Sequence, residues 1–228
     1  FVGEGDNVIV SAAEHHSNLV PWQQHCLRKS AQLRFIPVLD DGRLDIQALE
    51  RLIDDRTKIL AVTQVSNVLG IVNPVDEIVR ICHSKGVPVL VDGAQGIVHC
   101  GIDVRKTDCD FYAFSGHKMY AATGTGVLYG KKEYLEKMPP FLFGGEMVGN
   151  VSLEQTTFAP LPMKFEAGTQ NFIGQTSFIQ AIEFMRSLDD QELASECRTV
   201  EQAMRNILTQ NPRIRLYGTA EPKIPVFS

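Results

Sequence analysis

Short apolar runs alternate with segments whose apolar residues recur every three or four positions through the first 130 residues. The runs Asn7–Ser11, Leu33–Val38, Lys58–Thr63, Val87–Val91, Asp110–Phe114 and Gly126–Gly130 predict strands. Asn18–Ser30 predicts a helix, with Pro21 tolerated in its first turn, where its missing N–H costs nothing. After the turn Asp40-Asp41-Gly42-Arg43, Asp45 caps a helix that carries Ile46, Leu49 and Ile53. Val75, Ile78, Val79 and Cys82 form a third helical stripe, stopped by Gly86. Several strands are continuously apolar rather than alternating. That suits a mostly parallel sheet covered on both faces by helices, the α/β class.

The second half reads differently. Residues 140–172 are rich in Gly, Pro, Thr and Phe and lack a period, which predicts a long loop region. Phe178, Ile182 and Met185 form one helical stripe, and Leu193, Cys197, Val200, Met204 and Ile207 form another. Ile214-Arg215-Leu216-Tyr217 predicts a strand. A domain boundary is expected near residue 190, with a large domain over 1–190 and the start of a smaller one over 191–228. The chain opens on a turn that leads at once into a strand and closes on Ile224-Pro225-Val226, which reads as a strand beginning. It is expected to be a fragment of a longer protein.

Composition narrows the class. The 228 residues are 44% hydrophobic and 21% charged, as in an ordinary soluble protein. With 22 Lys and Arg against 27 Asp and Glu and no basic block, nucleic acid is not an expected partner. No apolar run reaches the length of a membrane span, so no membrane partner is expected either. None of the five cysteines forms a C-x-x-C pair. Cys26, Cys82 and Cys197 lie in apolar-periodic segments and read as core filler, while Cys100 and Cys109 lie near the two motifs that follow.

One strand, Phe111–Phe114, runs into Ser115-Gly116-His117-Lys118; another, Val87–Val91, runs into Asp92-Gly93-Ala94-Gln95. Ligands of α/β sheets bind at strand ends. A lysine and an acid at two such ends are what a pyridoxal phosphate site requires. The lysine forms a Schiff base with the aldehyde, and the acid holds a proton on the pyridine nitrogen. A lone lysine after a strand is usually a solvated one; here the flanking residues favour Lys118 as the nucleophile. Asp92 before Gly93 could be a turn residue, but four apolar residues precede it, which favours a buried acid needing a cation. Gln95 could donate to the cofactor's phenolic oxygen, and Ser115 and His117 to a phosphate. His15-His16 could suggest a metal, but adjacent side chains on an extended segment diverge and no further ligand lies at the right spacing. Stacking of His15 on an aromatic cofactor, with acid–base work at neutral pH, is the better reading. Gly124-Thr125-Gly126 alone is not a dinucleotide fingerprint.

Five motifs, in order, carry a resemblance. They are Ala13-Glu14-His15-His16-Ser17-Asn18 with Val20-Pro21-Trp22, Val65-Ser66-Asn67-Val68-Leu69-Gly70, Val91-Asp92-Gly93-Ala94-Gln95, Asp110 through Lys118, and Phe165-Glu166-Ala167-Gly168-Thr169. The chain resembles the class V aminotransferase superfamily and, within it, the cysteine desulfurase and selenocysteine lyase branch of the SufS/CsdA type. The resemblance implies a fold type I pyridoxal phosphate enzyme, a cytoplasmic homodimer with active sites at the subunit interface. By the same resemblance Lys118 is the Schiff-base lysine, Asp92 the pyridine partner and Gln95 the partner of the ring oxygen. His15 stacks on the ring and helps proton transfer, and Asn67 lies near the substrate and ring oxygen. Ser115 and His117 bind phosphate, with Thr169 reaching across from the other subunit.

The implied reaction takes sulfur from L-cysteine, or selenium from L-selenocysteine, and leaves alanine. The sulfur passes through an enzyme persulfide to a protein acceptor for iron–sulfur cluster assembly. In the family the sulfur-accepting cysteine and a substrate-binding arginine lie beyond residue 228, and a phosphate-binding threonine lies before residue 1; none of the five cysteines here matches that nucleophile. The 228 residues alone are expected to be inactive. Ala121-Ala122 stand where the family usually has Gly-Pro. A kynureninase-like hydrolase, an aminotransferase, or a non-catalytic scaffold on the same fold are the rival readings.

Overall fold

The computed structural model describes residues 2–228, Asp190 by its backbone alone. Six strands form one sheet: β1 (Asn7–Ser11), β2 (Gln32–Ile36), β3 (Thr57–Thr63), β4 (Val89–Asp92), β5 (Phe111–Ser115) and β6 (Gly126–Gly130). Their order across the sheet is β2-β1-β3-β4-β5-β6. The first five run parallel and only β6 is antiparallel, paired to β5. This is the mixed, mostly parallel α/β sheet expected from the apolar runs.

Alternation along the strands feeds two cores, one on each face. Val8, Val10 and Ala61 point to one side, where Cys26 and the flanking Leu19 and Trp22 of α1 (His16–Lys29) cover them. Ile9, Leu60, Val62, Val89 and Val91 point to the other, against Leu49 of α2 (Ile46–Leu52) and Val75, Ile78, Val79 and Cys82 of α3 (Val75–Ser84). Leu60 is fully buried, and cutting such a side chain to Ala costs about 2–5 kcal/mol. Side-chain caps mark the starts of α1 and α2, while α3 begins after Pro74 without one. Asp45 accepts from Ala48 N–H at 2.9 Å, and Ser30 ends α1 in the left-handed conformation. The first helix begins two residues earlier than its apolar pattern suggests, because His15 caps it.

Between β4 and β5 lie two short helices, α4 (Gly96–His99) and α5 (Val104–Thr107), and α6 (Lys132–Lys137) follows β6. The region read as loop contains a small hairpin, β7 (Val148–Val151) with β8 (Thr156–Phe158). Its turn is set by Ser152, whose Oγ accepts from the N–H groups of Glu154 and Gln155. Two strands of three or four residues show no period long enough to stand out.

The two predicted C-terminal helices form, as α7 (Phe172–Ser187) and α8 (Asp190–Thr209). The α8 stripe is not core, however: Val200 is 68% and Ile207 66% exposed, and Cys197 is exposed rather than core filler. Cys109, by contrast, is buried with Cys26 and Cys82. The strand expected at Ile214–Tyr217 does not form. A strand needs a partner edge, and among the described residues the tail's bridge runs instead from Lys223 to Ile71. Ile224 N–H donates to Gly70 O and Val72 N–H to Pro222 O, which docks the chain end on the loop after β3.

Candidate functional site

Because β1, β3, β4 and β5 are parallel neighbours, their C-terminal ends share one edge of the sheet. The chain moves outward from β1 to β2 and returns on the other side of β1 to β3. The β1–β3 crevice is therefore the switch point at which open α/β sheets take ligands. Four of the sequence motifs arrive at this edge: Glu14-His15 after β1, Asn67 after β3, Asp92 and Gln95 at β4, and Ser115 through Lys118 at β5.

Asp92 ends β4 and is 9% exposed. Its Oδ1 accepts from Ala94 N–H at 2.9 Å, an Asx turn that fixes the carboxylate direction. Among the described residues no lysine, arginine or histidine forms an ion pair with it. The turn after it is packed tightly from below. A Cβ on Gly93 would fall 1.9 Å from the Tyr112 ring, and one on Gly96 would fall 1.9 Å from Gln64 Oε1. Tyr112 hydroxyl donates to that same Oε1 at 2.6 Å, and Gln64 Nε2 donates to Gly101 O at 3.0 Å. Gln64 and Tyr112 therefore hold the turn that presents Asp92 and Gln95. Sequence reasoning missed Gln64 altogether and read Tyr112 only as a strand residue.

Lys118 lies in a 3-10 turn, Gly116–Met119, directly after β5. It is partly buried and, among the described residues, makes no ion pair or side-chain hydrogen bond. The turn packs against α4, which brings it beside the Asp92–Gln95 segment. A Cβ on Gly116 would fall 2.5 Å from Thr125 Oγ1 and 2.8 Å from the Phe178 ring, so only glycine lets β6 and α7 approach the turn this closely. At the position where the resembling family has proline, Ala122 N–H donates to Ser177 Oγ of α7 at 2.8 Å.

His15 is exposed at the mouth of this edge. Its Nδ1 accepts from Ser17 N–H at 3.2 Å and lies 2.8 Å from Ser17 Oγ, so the ring caps α1 through one nitrogen and keeps the other outward. The His16 ring stands 5.9 Å away, tilted by 37°. Glu14, read only as a flanking residue, is the most strongly perturbed carboxyl at this edge: burial, with the nearby Asp92 charge adding to it, pushes its pKa up to about 7. Asn67, Gln95 and Ser115 are partly buried and His117 is exposed. Thr169 is exposed in the loop before α7, and no described contact joins it to Lys118, Asp92 or His15.

A buried carboxylate without a protein cation, one strand away from an unpaired lysine, fits a ligand that brings its own positive charge to the acid and a carbonyl to the amine. Among the described residues no three His, Cys, Asp or Glu side chains gather as metal ligands. The buried thiols are not poised to react, since burial pushes Cys82 up to about 12 and Cys109 up to about 11.

The aminotransferase class-V family profile matches residues 1–227. A cysteine desulfurase of Dickeya dadantii (strain 3937) is 49% identical over 216 residues, covering 94% of this chain and 52% of that protein. One from Cronobacter sakazakii is 47% identical, covering 95% and 54%. Among solved structures, the Escherichia coli cysteine desulfurase CsdA superposes with a TM-score of 0.90 at 42% identity over 94% of this chain and 54% of that one. The apo cysteine desulfurase of Thermococcus onnurineus NA1 gives 0.86 at 32% identity, covering 99% and 56%. The chain thus spans about half the length of the relatives it matches.

Proposed function

The chain belongs to the aminotransferase class-V family, and on that premise we propose that the full-length protein is a pyridoxal phosphate-dependent cysteine desulfurase. It takes L-cysteine, with L-selenocysteine as the alternative substrate, and leaves L-alanine. The sulfur passes to an enzyme cysteine and on to a protein acceptor for iron–sulfur cluster assembly. The observation that supports this most directly is the pairing of Asp92 and Lys118 on adjacent parallel strand ends, with neither occupied by a partner of opposite charge among the described residues.

When bound, pyridoxal phosphate supplies an aldehyde for an amine and a ring that draws electrons from the substrate's α-carbon. Asp92 would hold the proton on the ring nitrogen, and its burial makes that ionic contact worth more than it would be in water. Lys118 Nζ would anchor the group and then carry protons to and from the substrate. His15 would cover the ring face, and its outward nitrogen would share the proton work. Gln95 and Asn67 would bond the ring oxygen and orient the substrate. Ser115 and His117 would hold the phosphate, with Thr169 completing that cup from the second subunit of a homodimer. The exposed position of Thr169, apart from the other site residues of its own chain, is what favours that arrangement.

None of the five cysteines is assigned the sulfur-accepting role: the buried ones are held protonated, and burial also pushes Cys100 upward. All five thiols are unpaired, which supports a reducing, cytoplasmic setting. Among the described residues no helix is long and apolar enough to cross a membrane. We place the domain boundary between α7 and α8, near residue 190.

The test is release of alanine and sulfide from L-cysteine by the full-length protein reconstituted with pyridoxal phosphate, followed by borohydride reduction and peptide mapping. Cofactor fixed on Lys118 and equimolar alanine and sulfide are the expected results. Label on another lysine, or amino-group transfer without sulfide, would sink the reading.

A further inference from the structure

The β1–β3 crevice is bridged at its outer end by one carboxylate. The ladder between these strands stops at Val10 and Ala61, so the N–H of Thr63 no longer faces a backbone acceptor on β1. Glu14 supplies one: its Oε1 accepts from Thr63 N–H at 2.9 Å. The same oxygen accepts from Ser11 Oγ at the end of β1, and Oε2 accepts from Asn18 Nδ2 of α1 at 2.6 Å. Asn18 is buried and its own Oδ1 is engaged by Trp22 Nε1 at 3.2 Å, so its amide cannot turn round without losing that bond. Thr63, in turn, is the register partner of Asp92. His15 follows Glu14 directly and caps α1.

We propose that Glu14 is a positioning residue for His15: by tying β1, α1 and β3 together across the crevice, it fixes the imidazole relative to Asp92. The proposal rests on the reading that this edge holds the cofactor. A carboxylate suits the place because three donors converge on it and no acceptor does. A glutamine in either orientation would turn its NH₂ group toward a donor, either Asn18 Nδ2 or Thr63 N–H. The charge is held against opposition. Burial and Asp92 on β4 push the Glu14 carboxyl up to about 7, while the three hydrogen bonds pull it down. The other titratable groups nearby are His15 and His16 on its own segment; β1 and β3 contribute only the neutral Ser11 and Thr63. The clamp is therefore tight above neutrality and loosens below it.

The test uses the full-length protein and its Glu14→Gln and Glu14→Asp variants, the second keeping the charge but withdrawing it by one methylene. The His15 imidazole resonance, identified by its loss in His15→Ala, is followed on both sides of neutral pH, and the apparent affinity for pyridoxal phosphate is titrated by fluorescence. In both variants the His15 resonance is expected to move. In Glu14→Gln cofactor affinity also falls about tenfold, the worth of one charge-assisted hydrogen bond. If a folded variant keeps the parental His15 resonance and affinity while only its melting temperature drops, Glu14 merely finishes a strand and the proposal is overturned. If the unaltered protein binds no pyridoxal phosphate, the functional reading fails, and the His15 resonance still decides the role of Glu14.

Discussion

Ala122 donates its N–H to Ser177 Oγ at 2.8 Å, which ties the turn carrying Lys118 to the first turns of α7. The bond exists only because residue 122 is not proline. Ser177 Oγ in turn donates to Gly174 O, so the contact extends into the helix backbone. Phe114 and Phe178 pack edge to face beside it, with ring centroids 6.4 Å apart. Tyr120, which ends the lysine turn, also packs edge to face on Phe184, with centroids 5.0 Å apart, so the turn is fastened to α7 by one polar and two aromatic contacts.

Replacing Ala122 by Pro removes the donor, and replacing Ser177 by Ala removes the acceptor. Each is expected to cost about 1 kcal/mol, and the double variant little more than the costlier single one, because both changes break the same bond. Urea unfolding of the four proteins closes the cycle. Additive losses would mean that the two residues do not act together.

Gly93→Ala is expected to be more damaging. The new Cβ would land in the Tyr112 ring, which is 1% exposed and held by its bond to Gln64, so the ring has nowhere to go. Overpacking of this kind costs about 1–3 kcal/mol. Tyr112→Ala removes the ring that the new Cβ would strike, so adding Gly93→Ala to that variant should cost little further stability in urea unfolding. An equal loss in both backgrounds would mean that the glycine serves a purpose other than this contact.

The sheet and the two chemical strand ends were legible in the residues because each signal is local. An apolar run ending in Asp92, and another ending in the turn with Lys118, needs no knowledge of what lies across the sheet. Gln64, Tyr112 and Glu14 act through contacts between residues 48 or 49 positions apart, Tyr112 to Gln64 and Glu14 to Thr63, and those contacts depend on strand register. The α8 stripe shows the opposite limit. Its spacing correctly gives a helix, but periodicity does not say what covers the apolar face, and Leu193, Val200 and Ile207 are exposed. The hairpin of β7 and β8 was hidden because its strands are only four and three residues long.

Asp92→Asn should separate catalysis from folding. The amide keeps the shape and can still accept from Ala94 N–H through its oxygen, so the turn survives. It cannot hold a proton on a ring nitrogen as a carboxylate does, and losses of such preorganised charge are about a hundredfold to a thousandfold in rate. Alanine release by the full-length variant should fall by that order, with the melting temperature close to the parental one. Unchanged turnover would remove Asp92 from its assigned role.

The raised pKa of Glu14 also predicts how stability changes with pH. Its carboxyl titrates at about 7 in the folded chain against an ordinary 4.5. Between those values the folded state therefore holds more of the proton than the unfolded state. Stability falls wherever the folded state binds more protons and pH rises, so this group's contribution is fully present below about 4.5 and is lost as pH climbs through about 7. The loss amounts to about 3 kcal/mol at most, since partial exposure of the side chain screens part of it. The ionised form nonetheless makes the three-way clamp, so the site is organised at the expense of overall stability. Glu14→Gln carries no such titration. The stability of the parent minus that of the variant should decline steadily from acid to neutral pH and then level off. Chemical denaturation of both proteins across that range measures it directly. A difference that stays flat, or rises with pH, would show that Glu14 is ionised throughout and that burial and Asp92 do not govern its charge.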